Sequence, residues 1–348
     1  MATSPRIVVR KAQEEDYEAV INITKEISLG ADYLYVQYSE LINDADSSYY
    51  VCEVDGEVAA FEGVSLLDDN NTLMARSARV KDKFRGQGLL NRIRKKIYDD
   101  YKDVPGQKRI RNCCTNIVRL VDSATFRSQN RFLGTRALTV YDPLDVVKVP
   151  AAYTDDIPEV RTVDPEILRY LFEEKELSTY LFPLGFLVVI SWFFDPLVSN
   201  IKHIKKQHPC VSISAVLGES IEQLTSTSNI EKSYTNSKEK ARGLLVFCCH
   251  YKTPTMIFFN IEIYGKPVQG QEDSELRPFI FHGLKQAVSV MEQDHSKLPP
   301  ALGISTDTDE LLQVCKNIVA PLGFYRDKMG AFTSQNFFEQ EFEQLANY

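Results

Sequence analysis

A chain of 348 residues, 44% hydrophobic and 25% charged, has ordinary globular composition and length enough for two domains. Its net charge of −8 argues against a nucleic-acid binder, which carries a basic excess. The N-terminus, Met1-Ala2-Thr3-Ser4-Pro5-Arg6, lacks the apolar core of a secretory leader. One long apolar run, residues 180–194, is broken by Pro183 and Gly185 and falls short of the roughly 20 residues that cross a bilayer. It reads as a buried strand or core segment, and no membrane association is expected.

Seven cysteines (Cys52, Cys113, Cys114, Cys210, Cys248, Cys249 and Cys315) are scattered without a C-x-x-C pair, so neither a zinc site nor a disulfide framework is expected. The protein reads as cytoplasmic and reduced. The five histidines, His203, His208, His250, His282 and His295, lie in the second half without metal-like spacing. The apolar run Phe247-Cys248-Cys249-His250 favours core thiols over a thiol–imidazole nucleophile.

In chain order, residues 6–11 alternate as a first strand, and a helix is predicted from about Glu15 with Tyr17, Val20, Ile23 and Ile27 on one face. Gly30 ends it, and 31–42 carry a second helix. Strands follow at 49–54, 57–67 and 72–80, the first two joined by Asp55-Gly56, a type I′ hairpin pair. A helix at 88–101 has Leu89, Leu90, Ile93, Ile97 and Tyr101 at helical spacing, then come a strand at 109–115, a short helix at 123–131 and a strand at 136–141. The order β-α-α-β-β-β-α-β-α-β is an α+β pattern.

Residues 155–164 read as a linker, dividing the chain at 150 into domains 1–150 and 151–348. The second half repeats the pattern of the first without evident identity: strands at 243–250 and 255–264, a helix at 278–292, a strand at 301–305, a helix at 309–319 and a last strand near 331–333. Residues 219–240, rich in Ser, Thr, Asn, Glu and Lys, read as a mobile polar loop.

The chemistry concentrates in Arg85-Gly86-Gln87-Gly88, between a strand and a helix. Such a junction gathers free backbone N–H groups at the positive end of the helix dipole and favours a diphosphate. Gly86 and Gly88 leave the backbone open, Arg85 adds a cation, and Arg92, Arg94, Lys95 and Lys96 could reach a further phosphate. A bare G-x-G is as readily a tight turn, and neither G-x-x-x-x-G-K-[ST] nor G-x-G-x-x-G is present. The flanks decide. Ala75-Arg76-Ser77-Ala78-Arg79-Val80, four residues, then Arg85-Gly86-Gln87-Gly88-Leu89-Leu90 resembles the acetyl-CoA loop Q/R-x-x-G-x-G/A of the GCN5-related N-acetyltransferases (GNATs). Arg85 and Gly88 match, whereas Leu90 stands where that family prefers Gly or Ala.

A narrower resemblance links Gly30-Ala31-Asp32-Tyr33-Leu34, Ala60-Phe61-Glu62-Gly63-Val64, the glycine loop, residues 184–196 and Phe259-Asn260-Ile261-Glu262 to the vertebrate histidine N-acetyltransferase family. The resemblance implies a GNAT fold, a mixed and centrally antiparallel sheet flanked by helices, followed by a degenerate GNAT-like second domain. It also implies transfer of acetyl from acetyl-CoA to the α-amine of free histidine, with Ala78, Arg79, Val80 and residues 85–90 on the cofactor. Another small amine, a protein amine, or non-catalytic acetyl-CoA binding are the alternatives. No metal cofactor and no nucleic-acid partner are expected, and the residue pattern carries no signal for oligomeric state.

An α-ammonium must lose a proton before it attacks a thioester. Glu62, mid-strand in the apolar run 58–64, is the expected base, its carboxylate desolvated and tuned upward. Backbone N–H groups near Ala78 and Val80 are implied to hold the oxyanion. The tyrosine that often protonates the CoA thiolate in this superfamily has no counterpart in Ser123-Ala124-Thr125-Phe126-Arg127-Ser128. Asp32 and Tyr33 are candidates for the acceptor's ammonium or imidazole. Arg76 is a candidate for its carboxylate or, alternatively, a partner for Glu62. After Tyr264 no glycine loop recurs, and Glu272, Asp273 and Glu275 would repel a pyrophosphate, so one cofactor site per chain is expected.

Overall fold

The computed structural model describes residues 4–24, 28–106, 109–116, 124–142, 160–226, 243–294, 297–324 and 329–348. Alternating branched residues form β1 (Ile7–Lys11). The first helix is shorter than its periodicity suggests: α1 spans Tyr17–Ile21, and the Asn22 side chain bonds the Glu18 carbonyl at its end, 2.7 Å. Ile27 lies outside the described residues. Helix α2 (Leu34–Ile42) precedes an antiparallel meander of β2 (Ser47–Val54), β3 (Glu57–Leu67) and β4 (Thr72–Val80). Asp55 and Gly56 both have positive φ, as the predicted I′ turn requires. Then come α3 (Leu89–Tyr101), β5 (Arg109–Thr115), which pairs parallel to β4, α4 (Ala124–Gln129) and β6 (Arg131–Tyr141).

The second half opens with β7 (Arg161–Thr162), α5 (Pro165–Glu173, capped by Asp164) and α6 (Lys175–Leu181). The apolar run 180–194 is the end of α6 plus a buried hairpin, β8 (Leu187–Val189) and β9 (Trp192–Phe194). Then follow α7 (Ile201–Lys205), β10 (Cys210–Ile213) and α8 (Ala215–Ser226). Residues 219–226 of the expected polar loop are therefore helical, because Leu217 and Ile221 give that stretch a buried face; the remainder lies outside the described residues. Next are β11 (Gly243–Lys252), β12 (Ile257–Lys266), α9 (Glu272–Gln293), β13 (Pro300–Thr306), α10 (Asp309–Val319) and β14 (Ser334–Glu341). Helix α9 starts before Pro278, since the acidic Glu272, Asp273 and Glu275 suit its first turn.

Twelve strands make one sheet in the order β1-β2-β3-β4-β5-β14-β6-β13-β12-β11-β10-β7. Each half keeps a meander and one parallel pair, β4 with β5 and β12 with β13. The last strands are exchanged. β14 lies against β5 of the first half, β6 lies against β13 of the second, and the two pair with each other at the centre. A division at residue 150 is thus not a cut through the sheet. Ion pairs reinforce the exchange: Arg111 on β5 reaches Glu339 on β14 at 3.2 Å and Asp195 after β9 at 2.8 Å.

The β12–β13 pairing stops at Glu262 and Ser305. There Arg136 of β6 fills the gap, 1% exposed, donating to the Ile263 carbonyl (2.7 Å) and pairing with Glu262 (2.9 Å) and Asp307 (3.0 Å). Burial raises the pKa of Glu262, and the Arg136 guanidinium opposes that rise. Arg136→Met is expected to cost about 3–5 kcal/mol, because it strands a buried carboxylate. Urea unfolding checks this; a loss below about 1 kcal/mol would contradict it.

Candidate active site

Strand β4 pairs with β5 only over Thr72–Ala75. At Ser77 the backbone turns left-handed (φ 57°), and the register with β3 shifts between Phe61 and Gly63. Beyond Ala75 the β5 side of β4 is open, so Ala78 is exposed in mid-sheet. The chain then passes through Arg85-Gly86-Gln87-Gly88 into α3. Gly86 and Gly88 have φ of 78° and 69°, and a Cβ at either would meet nothing within 4 Å. No side chain caps the first turn of α3. Its free amides and the dipole of a 13-residue helix therefore face open space beside the open strand edge, an arrangement suited to an anion.

Around this loop Arg85 is exposed beside Asp82 (2.9 Å), and Gln87 donates to the Lys83 carbonyl at 3.3 Å. Leu89 is buried. Leu90 packs on the same core under α3, which accommodates the larger side chain away from the loop. The expected set of helix cations divides. Arg92 is exposed, Lys95 and Lys96 pair with Asp99 and Asp100 one turn on, and Arg94 turns inward.

Arg94 meets Glu62. Glu62 is 1% exposed, and the Arg94 Nε and Nη2 donate to its carboxylate at 3.0–3.3 Å. Burial works against the Arg94 charge, but the Glu62 carboxylate outweighs it and leaves the Arg94 pKa raised. The desolvated carboxylate expected from the apolar run is present, though not alone, and it faces α3. The Tyr348 hydroxyl also interacts with Arg94, donates to Gln129 at the end of α4 (3.1 Å) and accepts from Gln340 (3.0 Å). Helix α4 has no tyrosine, and Ser123 lies outside the described residues.

The other predicted residues gather on the opposite face, with α1 and α2. Asp32 pairs with Arg79 at 3.0 Å, both side chains 5% exposed or less, and accepts from the Leu34 N–H. Of Arg79, then, only the backbone faces the open edge. The Tyr33 and Ser77 hydroxyls bond at 2.7 Å. Arg76 does not pair with Glu62. Its guanidinium lies 3.8 Å from the Trp192 ring centroid and 5.0 Å from that of Tyr33, and its buried Nη1 has no hydrogen-bond partner.

A cavity of about 110 Å³ adjoins this group. Tyr33 and Thr115 of the first half and Ile190, Tyr251, Asn260 and Gln335 of the second line it, so both halves build it. Burial raises the Tyr251 pKa and keeps that phenol protonated. Reasoning from sequence missed Trp192, Tyr251 and Gln335, because only the folded sheet brings the second half against β4. Among the described residues no helix is long and apolar enough to cross a membrane, and no cluster of His, Cys, Asp or Glu is arranged for a metal.

The Asp32–Arg79 pair ties the α1–α2 connection to β4. Asp32→Asn is expected to destabilise the fold by about 3–5 kcal/mol, since Arg79 stays buried without its counter-charge. Denaturant titration measures it; a change within about 1 kcal/mol would put Asp32 outside the framework of the site.

No protein-family model matches this chain. A 78-residue stretch is 31% identical to the histidine N-acetyltransferase of Oreochromis niloticus, covering 22% of this chain and 23% of that protein. The Xenopus tropicalis histidine N-acetyltransferase aligns over 169 residues at 25% identity, 47% of this chain and 52% of its own length. A human protein named probable N-acetyltransferase 16 is 32% identical over 78 residues, 22% of this chain and 21% of that one. The chain thus spans about half the length of these relatives or less. A GCN5-related N-acetyltransferase structure from Sphaerobacter thermophilus superposes over 97% of this chain and 96% of its own at 12% identity, with a TM-score of 0.49. Its sequence relatives, with the glycine loop in its expected place, support a GCN5-related N-acetyltransferase near the vertebrate histidine N-acetyltransferases.

Proposed function

We propose that this chain transfers acetyl from acetyl-CoA to the α-amine of a small free amino acid, L-histidine being the best single candidate. The observation that carries the reading is the parting of β4 from β5 beside an uncapped helix start, backed by a cavity on the far side of the sheet. In this reading the diphosphate sits on residues 85–90, and the pantetheine amides pair with the free edge of β4 at 78–80. The acetyl group lies in the opening. The oxyanion takes a donor from the backbone near Ala78 and Val80.

The acceptor enters the cavity beside Tyr33, its carboxylate drawn to Arg76. Asp32, occupied by Arg79, acts by holding the Tyr33 segment in place. The proton leaving the amine passes to Glu62 through the opening, because that carboxylate lies on the α3 side. One donor site per chain fits the Arg136 plug in the second half and the acidic start of α9. That half then serves as a degenerate domain, 151–348, that walls the acceptor cavity. The cavity's small size favours free amino acids over protein amines. Seven free cysteines suit a reducing, cytoplasmic setting.

A second reading, acetyl-CoA binding without turnover, is favoured by the commitment of Glu62 to Arg94. CoA release measured against a panel of free amino acids, histidine included, separates the two. Turnover with histidine is expected; tight acetyl-CoA binding without turnover on any acceptor supports the second reading. Glu62→Gln is expected to lower kcat by about 10²–10⁴-fold, the range for losing a general base. A full rate across pH would remove Glu62 from the mechanism.

A further inference from the structure

Three buried donors without partners lie together behind Tyr33. The Arg76 Nη1, the Trp192 Nε1 and the Tyr49 hydroxyl each have no hydrogen-bond partner, and their residues are 9%, 2% and 3% exposed. Arg76 rests on the Trp192 ring at 3.8 Å, and its charge acts directly on the Tyr49 phenol. The neighbouring carboxylates are committed elsewhere, Asp32 to Arg79 and Glu62 to Arg94. A buried donor left unpaired is costly, and a buried cation without a counter-ion more so.

Two features hold the donors in this arrangement. The Tyr49 ring stacks on Phe61 at 5.5 Å and packs so closely over Gly63 that a Cβ there would come within 2.1 Å of it. Trp192 follows a turn in which Ile190 and Ser191 both have positive φ, 47° and 64°. That conformation is costly for a β-branched residue, and it persists where the surroundings enforce it. Here it aims the indole at Arg76 and puts Ile190 and Ser191 in the cavity wall.

We infer that Tyr49, Arg76 and Trp192 form a carboxylate subsite, completed by the second half, that restricts acceptors to small molecules with a free carboxylate beside the amine. The inference rests on the amino-acid acceptor proposed above. Three neighbouring donors, one of them a permanent cation, repel an ammonium and match a carboxylate. Burial raises the Tyr49 pKa, although Arg76 opposes the rise, so its hydroxyl is a donor at neutral pH. The adjoining cavity of about 110 Å³, lined by Tyr33, Ile190 and Ser191 beside Arg76 and Trp192, suits a small ligand. The subsite would prefer L-histidine to histamine, which has the same imidazole and no carboxylate.

Trp192 is the one tryptophan of the chain, so its emission reports from within the subsite. The full chain is titrated with L-histidine, acetate and histamine. A saturable change with the two carboxylates and none with histamine is expected, and Arg76→Gln is expected to abolish it. Tyr49→Phe removes one hydroxyl and keeps the ring packed on Phe61 and over Gly63, so the fold persists. With it, and with Trp192→Phe, KM for L-histidine is expected to rise about tenfold while kcat changes little, as for a lost hydrogen bond to a charged group. Equal fluorescence responses to histidine and histamine, or an unchanged KM in both variants, would overturn the subsite. Carboxylate-specific quenching without acetyl transfer would keep the subsite and refute the transferase reading; transfer with no preference for carboxylates would do the reverse.

Discussion

The parting of β4 from β5 after Ala75 is the constraint on which the rest of the site depends. Parallel neighbours normally satisfy each other's backbone along their whole length, and a strand edge left open in mid-sheet needs another partner. The left-handed Ser77 turns β4 away, and the exposed Ala78 marks the consequence. The glycine loop and the uncapped start of α3 stand at the mouth of the same opening. The second half parts at the corresponding place, β12 from β13, but there Arg136 bonds the Ile263 carbonyl. The two similar halves of the sheet thus end in opposite states, one open and one closed by the protein's own side chain.

Buried charge follows the same division. Of the four buried arginines among the described residues, Arg79, Arg111 and Arg136 have carboxylate partners and Arg76 has none. The paired ones join elements distant in sequence: Arg79 fixes the α1–α2 connection, and Arg111 with Arg136 spans the strand exchange. Breaking such a pair leaves a desolvated charge, so these residues act on the fold. Arg76 stands apart. It lies where both halves meet, between a tyrosine from one and the tryptophan from the other.

Local features were legible in the sequence. Asp55-Gly56 named its turn, the glycine loop named its junction, and the meander up to β5 follows from alternation and helical spacing. Other readings were incomplete where tertiary contacts decide. The run 180–194 is too short and interrupted to separate helix from strand, and it is part of each. The polar composition of 219–226 concealed a helix with one buried face. Strand exchange leaves no local trace, because β6 and β14 look the same whichever half they join. The burial of Glu62 was legible from its apolar surroundings, but its tie to Arg94 was not, since Arg94 reads on its own as one more cation on a helix face. The pairing of Asp32 with Arg79, 47 residues apart, was hidden for the same reason.

We propose the open edge of β4 as the donor channel. A crystal structure of the protein with bound CoA tests it most directly. The expected complex has pantetheine amides hydrogen-bonded to β4 between Ala78 and Val80, the diphosphate on the amides of residues 86–90, and the thiol directed into the opening toward Tyr33. CoA bound elsewhere, or a β4 edge covered by the protein's own chain in the complex, would contradict it.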